Sequence, residues 1–178
     1  MPSVLDPPWP ALRSLALALD GAGVDWRLGG SALLAAMGLT DQVGDLDVTV
    51  AAEMLDEVQQ ACAPWLVGTS IGEAPAPWCS DWLVSLRIGD TAVDVIGGLC
   101  VRVGADRVRV PQDLGGHLDV EGVAVPLADP AVWWWVYRAY RPAKAARLAE
   151  VVPAERLTEV ERRLGPPRDG HPDDRATG

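Results

Sequence analysis

The chain has 178 residues, 49% of them hydrophobic, and a formal net charge of −10. That suits one domain with a buried core, and no apolar run approaches the ~20 residues of a membrane span. The acidic balance disfavours extended nucleic acid as a partner, because binding a phosphate backbone takes a broad basic surface.

In chain order, residues 1–9 are Pro-rich and read as an extended arm, with no basic stretch before an apolar run to mark a signal peptide. The expectation is a cytoplasmic protein with no membrane association. Pro10 to Asp20 reads as a helix with Leu12, Leu15, Ala16 and Leu19 on one face, ended by Gly21-Ala22-Gly23. Val24 to Leu28 reads as a short strand. Gly29-Gly30 reads as a turn, with Ser31 capping a helix from Ala32 to Met37. Leu46 to Val50 is a strand and Ala51 to Ala61 a helix.

Gly68 to Ser80 is rich in Gly and Pro and reads as a loop. Trp82 to Ile88 and Thr91 to Ile96 flank Gly89-Asp90 and read as a hairpin. Weaker strands follow at 99–103, 107–110 and 122–125, with His117 in a surface loop. After Pro126 the period becomes helical. Asp129-Pro130 caps a helix to Tyr140, a second helix follows Pro142, and Pro153 opens a third. The domain expectation is therefore a sheet-bearing unit over 1–127, a helical subdomain over 128–164 and a disordered tail over 165–178.

Charge follows the same division. Residues 1–127 carry 6 basic and 17 acidic side chains, whereas 128–164 carry 7 basic and 5 acidic. Cys62, Cys79 and Cys100 are odd in number, widely spaced and accompanied by only two histidines, so reduced thiols are expected and a zinc site is not.

Three motifs carry possible chemistry. Gly29-Gly30-Ser31 joins a strand to a helix, where backbone can approach an anion without Cβ obstruction. Asp45 and Asp47 are two apart on a strand, so both carboxylates face one way, an arrangement that suits a divalent cation between them. By itself the pair also reads as an acidic turn. Asp94 lies in an apolar strand, Ala92-Val93-Asp94-Val95-Ile96, where burial without a partner is costly. On a neighbouring strand it would join the pair, sharing a metal or deprotonating an attacking hydroxyl. The alternative is an edge aspartate facing water.

Arg138, Arg141, Lys144 and Arg147 recur at spacings of three and read either as a ligand-facing strip or as a solvated face. Trp133-Trp134-Trp135 sweeps too wide an arc for one helix face. Trp133 is placed in the core with Tyr137 and Tyr140. Trp134 or Trp135 is left for acceptor stacking or a dimer contact, the other reading being that all three are wedged inside.

The order Gly-Gly-Ser, short helix, Asp-x-Asp, long gap, lone Asp resembles the nucleotidyltransferase superfamily with the polymerase-beta-like fold. It is nearest to the antibiotic nucleotidyltransferases and to the nucleotidyltransferase toxins of abortive-infection systems. The resemblance covers Val24 to Ile96 and, more loosely, the C-terminal helices. It implies an α/β (α+β) fold with a mixed sheet, flanking helices on one side and a small C-terminal helical subdomain. It implies that Gly29, Gly30 and Ser31, with Arg141 and Lys144, hold an NTP such as ATP. It implies that Asp45, Asp47 and Asp94 bind Mg2+, and that Asp94 helps activate an acceptor hydroxyl. The implied reaction moves a nucleoside monophosphate onto a small molecule or protein and releases pyrophosphate.

Many relatives place Arg and Ser or Thr where this chain has Asp41 and Val43. That departure keeps a second reading in play: a catalytically degenerate nucleotidyltransferase-like binding module or toxin–antitoxin component. A toxin acting on tRNA ends is a third, which the net charge opposes.

Overall fold

A computed structural model describes residues 8–72 and 77–166. Nine strands are formed among them: β1 (Trp26–Leu28), β2 (Leu46–Val50), β3 (Leu66–Ile71), β4 (Trp82–Ile88), β5 (Thr91–Gly97), β6 (Cys100–Val103), β7 (Asp106–Arg109), β8 (Leu114–Val120) and β9 (Val123–Ala128). Seven join one mixed sheet in the order β3-β4-β5-β2-β1-β9-β8, and β6 and β7 pair separately. The site depends on the middle of that sheet. β2 runs antiparallel to β1 and parallel to β5, and β4 returns antiparallel from β5 through the Gly89-Asp90 turn.

The helices are α1 (Trp9–Gly21), α2 (Gly30–Ala36), α3 (Leu55–Ala61), α4 (Pro130–Arg138), α5 (Pro142–Ala149) and α6 (Ala154–Leu164). Leu12, Leu15 and Leu19 of α1 and Val58 of α3 bury against Trp26, Val48, Val84, Val93 and Val95. A second cluster joins Leu33 and Leu34 of α2 to Leu99 and Val101, to the buried run of α4, and to Leu148 and Val160 of the last two helices. Side chains alternate along a strand. On β5, Val93 and Val95 enter the first cluster, while Ile96, of opposite parity, packs on the second. Helices therefore cover both faces here, where the sequence suggested one. α4 starts as its sequence dictates: Pro130 holds the first helical position and the Asp129 carboxylate accepts from the Ala131 N–H at 2.8 Å. No described helix is long and apolar enough to cross a membrane.

The structure corrects several expectations. The Gly68–Ser80 stretch is not all loop, because Gly68 to Ile71 belong to β3, an edge strand antiparallel to β4 with a bulge near Gly68. Gly115, Gly116 and His117 lie on β8 rather than in a loop, although His117 is exposed as expected. α2 begins at Gly30 with Gly29 as its cap, so Ser31 sits inside the first turn and makes no capping bond. Cys79 and Cys100 are joined in a disulfide, Cα atoms 4.8 Å apart, rather than reduced, while Cys62 is free and buried. Trp133, Trp134 and Trp135 are all buried, at 3%, 8% and 1% exposure, so neither Trp134 nor Trp135 offers a dimer contact or an exposed stacking face, while Trp133 borders the cleft described below. The arm falls mostly on residues 1–7 and the tail mostly on 167–178, outside the described residues.

Candidate active site

β2 and β5 lie side by side in parallel, and their register pairs Asp47 with Asp94. Asp45 stands one residue before β2 and, two from Asp47, shares its face. One carboxylate oxygen from each of Asp45, Asp47 and Asp94 lies within 4.8 Å of the others. Asp45 is exposed and the other two are half-buried.

Three carboxylates so close carry an electrostatic cost. It falls on Asp47, whose carboxyl is pushed up to about 7, first by burial, then by the charges of Asp45 and Asp94, with Lys144 acting the other way. Asp94 has a further partner, since the Ser85 hydroxyl on β4 donates to its Oδ1 at 2.9 Å. Sequence reasoning missed Ser85. Its only signal was its place in the hairpin, opposite Asp94 across the turn.

The Gly-Gly-Ser motif supports the cluster from behind. Gly30 has φ +61, and a Cβ there would collide with the Asp47 carboxylate. A Cβ on Gly29 would collide with the Trp133 indole. The Gly29 N–H donates to the Asp47 carbonyl at 2.9 Å, so it is not free for a phosphate as the motif suggested. Gly30 and Ser31 open α2, where first-turn N–H groups have no intrahelical partner. None of the three lines the cleft in front of the carboxylates.

That cleft has a volume of about 690 Å3. Asp45, Asp47 and Asp94 line it, together with Arg141 and Lys144. The basic strip thus divides. Arg141 and Lys144 face the cleft, whereas Arg138 pairs with Glu161 at 2.5 Å and Arg147 donates to the Leu39 carbonyl at 3.1 Å. The Lys144 Nζ lies 5.2 Å from the centre of the Tyr137 ring. Tyr137, buried and close to Asp47 and Asp45, has its phenol pushed well above its usual range. Trp78, Ser70 and Ser80 supply wall that no sequence motif marked individually.

The donor set fits a hard divalent cation. It offers only carboxylate oxygens, and the charge crowding that raises Asp47 is what a bound cation would relieve.

No protein-family model matches the chain, and no curated protein does. Solved structures do. A Thermotoga maritima protein described as a nucleotidyltransferase superposes with a TM-score of 0.64 at 20% identity, over 86% of this chain and 92% of its own. The chain has the nucleotidyltransferase fold. ANT(2'')-Ia, in complex with adenylyl-2''-tobramycin, shares this nucleotidyltransferase fold at a TM-score of 0.58 and 16% identity, over 88% of this chain and 95% of its own. The lincomycin-bound lincosamide antibiotic adenylyltransferase LnuA does so at 0.52 and 13%, over 80% and 97%.

Proposed function

We propose that the chain is a Mg2+-dependent nucleotidyltransferase that moves a nucleoside monophosphate from an NTP to the hydroxyl of a small acceptor. The observation that carries this reading is the convergence of Asp45, Asp47 and Asp94 on a cleft that also holds Arg141 and Lys144. LnuA, which shares the fold, is by name a lincosamide antibiotic adenylyltransferase, and ANT(2'')-Ia holds an adenylylated small molecule, adenylyl-2''-tobramycin, both of which fit the same reading. Residues 1–127 would form the catalytic unit and 128–164 the helical subdomain that brings the two cations.

In this mechanism Asp45, Asp47 and Asp94 hold the cation. When bound it neutralises charge on the transferred phosphate and the departing pyrophosphate. Lys144 and Arg141, which line the cleft, take the triphosphate oxygens, and Gly30 leaves the room that the Asp47 carboxylate occupies behind them. Asp94, steadied by Ser85, accepts the acceptor's hydroxyl proton. The acceptor oxygen then bonds to the α-phosphorus as the bond from that phosphorus to the β-bridging oxygen breaks, and pyrophosphate carries away the electron pair. Most of the rate comes from positioning and charge neutralisation.

Thermal unfolding with each NTP, with and without Mg2+, tests this reading. A nucleotide at 100 times its Kd adds about 2.7 kcal/mol of stability. The expected result is a Mg2+-dependent shift for one NTP, lost in Asp45→Asn/Asp47→Asn, followed by pyrophosphate release once an acceptor is present. Binding without release under any acceptor points instead to the degenerate binding module, which the Asp41 and Val43 departures favour. No shift with any nucleotide sinks the transferase reading and turns the search to protein partners of the degenerate module.

A further inference from the structure

Five charged side chains line the cleft among the described residues, and the proposed reaction engages every one. Asp45, Asp47 and Asp94 are taken by the cation, and Arg141 and Lys144 by the triphosphate. The rest of the described lining is uncharged, and much of it is aromatic.

Sheet order says where an acceptor must sit. Asp94, proposed to take the hydroxyl proton, is on β5. On one side of β5 come β2, β1 and α2, the donor side. On the other come β4 and then β3. Leu83 of β4 and Ser70 of β3 line the cleft there, and Trp78 and Ser80 follow in the connection between those strands. The acceptor therefore approaches over β3, β4 and Trp78.

This wall is built rather than loose. Trp78 bridges to Val101, its neighbour Cys79 is disulfide-bonded to Cys100, and the Arg102 N–H donates to the Pro77 carbonyl at 2.7 Å. The Arg107 guanidinium donates to the Cys79 carbonyl at 2.9 Å. The β6–β7 hairpin thus holds Trp78 in place, and the indole meets the Tyr140 ring edge-on with centroids 5.1 Å apart. A pre-organised aromatic wall binds without the entropic cost of ordering it. The Tyr140 hydroxyl is buried with no hydrogen-bond partner among the described residues, leaving one polar group at this wall unsatisfied.

We propose that the acceptor is an uncharged hydroxyl compound bearing a flat apolar ring, held against Trp78 and Tyr140. The proposal rests on the nucleotidyltransferase reading of the cleft. A polycation is disfavoured on the same grounds: among the described residues, each ammonium group would lose water with no free carboxylate to meet it.

The test uses three acceptor probes with the full chain, Mg2+ and whichever NTP shifts its melting. Phenyl β-glucoside is uncharged with a ring, maltose is uncharged without one, and the glucosamine trisaccharide is polycationic. Pyrophosphate release and quenching of tryptophan fluorescence are both read. The expected result is that phenyl β-glucoside is preferred by about tenfold or more in kcat/KM, or in affinity by quenching where turnover is slow. Trp78→Ala should raise its KM or Kd about tenfold and leave NTP affinity unchanged, while Trp78→Phe restores most of the loss.

Preference for the trisaccharide, equal use of maltose, binding of none of the three, or an NTP affinity that falls with Trp78→Ala overturns the acceptor proposal. The nucleotidyltransferase reading then stands on its Mg2+-dependent NTP shift. If no NTP binds, that reading fails and takes the acceptor proposal with it.

Discussion

Asp47 and Asp94 face each other across neighbouring parallel strands, Cα partners in the β2–β5 register. Nearly fifty residues apart in sequence, they become adjacent because β5 slots beside β2 rather than beside β1. Shifting either strand by one residue would turn its carboxylate to the opposite face of the sheet.

Replacing one of these carboxylates should separate chemistry from folding. Asp47→Asn is expected to lower pyrophosphate release at least about 100-fold, the scale for losing one transition-state group. Circular dichroism should be unchanged. Near-wild-type turnover in this variant would sink the metal assignment.

The same residue sets a pH dependence in the metal-free chain. The folded form keeps the Asp47 proton up to about 7, whereas the unfolded chain loses it near 3.8. Between those values the folded state binds more protons, so stability from this group falls as pH rises. Asp47→Asn, which cannot ionise, should therefore gain on wild type in melting temperature from about pH 4 to about pH 7 and hold that gain above it. Adding Mg2+ to wild type should close the gap. A gap that stays constant with pH would contradict the raised carboxyl.

Gly30 offers a steric test. Its positive φ strains any other residue, and the Asp47 carboxylate occupies the space a Cβ needs. Gly23 also has a positive φ, but nothing lies near its would-be Cβ. Gly23→Ala is expected to cost about 1 kcal/mol in urea denaturation and Gly30→Ala about 2–3 kcal/mol or more. Combining Gly30→Ala with Asp47→Ala should recover part of the difference, as contacting sites do in a double-mutant cycle. Strict additivity would mean that the contact is not the cause.

The Cys79–Cys100 bond spans 21 residues, a loop for which closure is worth about 3 kcal/mol. Cys79→Ser/Cys100→Ser should lose about 2–4 kcal/mol of stability. Thiol titration of the denatured wild type, without reductant, should find a single free cysteine, Cys62. Three free thiols there would remove the disulfide and its hold on Trp78.

The sequence made the carboxylate-bearing strands legible. Alternation in Trp82–Ile88 and Thr91–Ile96 around Gly-Asp marked the hairpin, and Asp-x-Asp with the lone Asp94 marked the cluster. The strands it hid were those whose residues mask the signal. β3 is mostly exposed and carries Gly68, and β8 carries Gly115-Gly116, so neither shows a clean apolar alternation. The basic strip was legible as a spacing, but which two cations face the cleft was settled by Glu161 and the Leu39 carbonyl capturing the other two. The tryptophan run gave no face of its own because neighbours enclose it on several sides. The Trp135 indole N–H reaches the Gly165 carbonyl at 2.8 Å, and the Arg138 guanidinium lies 4.9 Å from the Trp134 ring. Cysteine pairing was invisible because spacing along the chain says nothing about which two sulfurs meet in space.

The Trp133 indole, seated where Gly29 lacks a side chain, has a kinetic corollary. It wedges α4 against the turn whose N–H is bonded to the Asp47 carbonyl, and α4 leads directly into the helix bearing Lys144. The spacing between cations and carboxylates is thereby set by packing and not by closure of one part of the chain onto another. Among the described residues, turnover in such an enzyme would not wait on α4 and α5 closing onto the sheet. Its rate should follow how fast donor and acceptor arrive and pyrophosphate departs, with little dependence on solvent viscosity beyond that of diffusion itself.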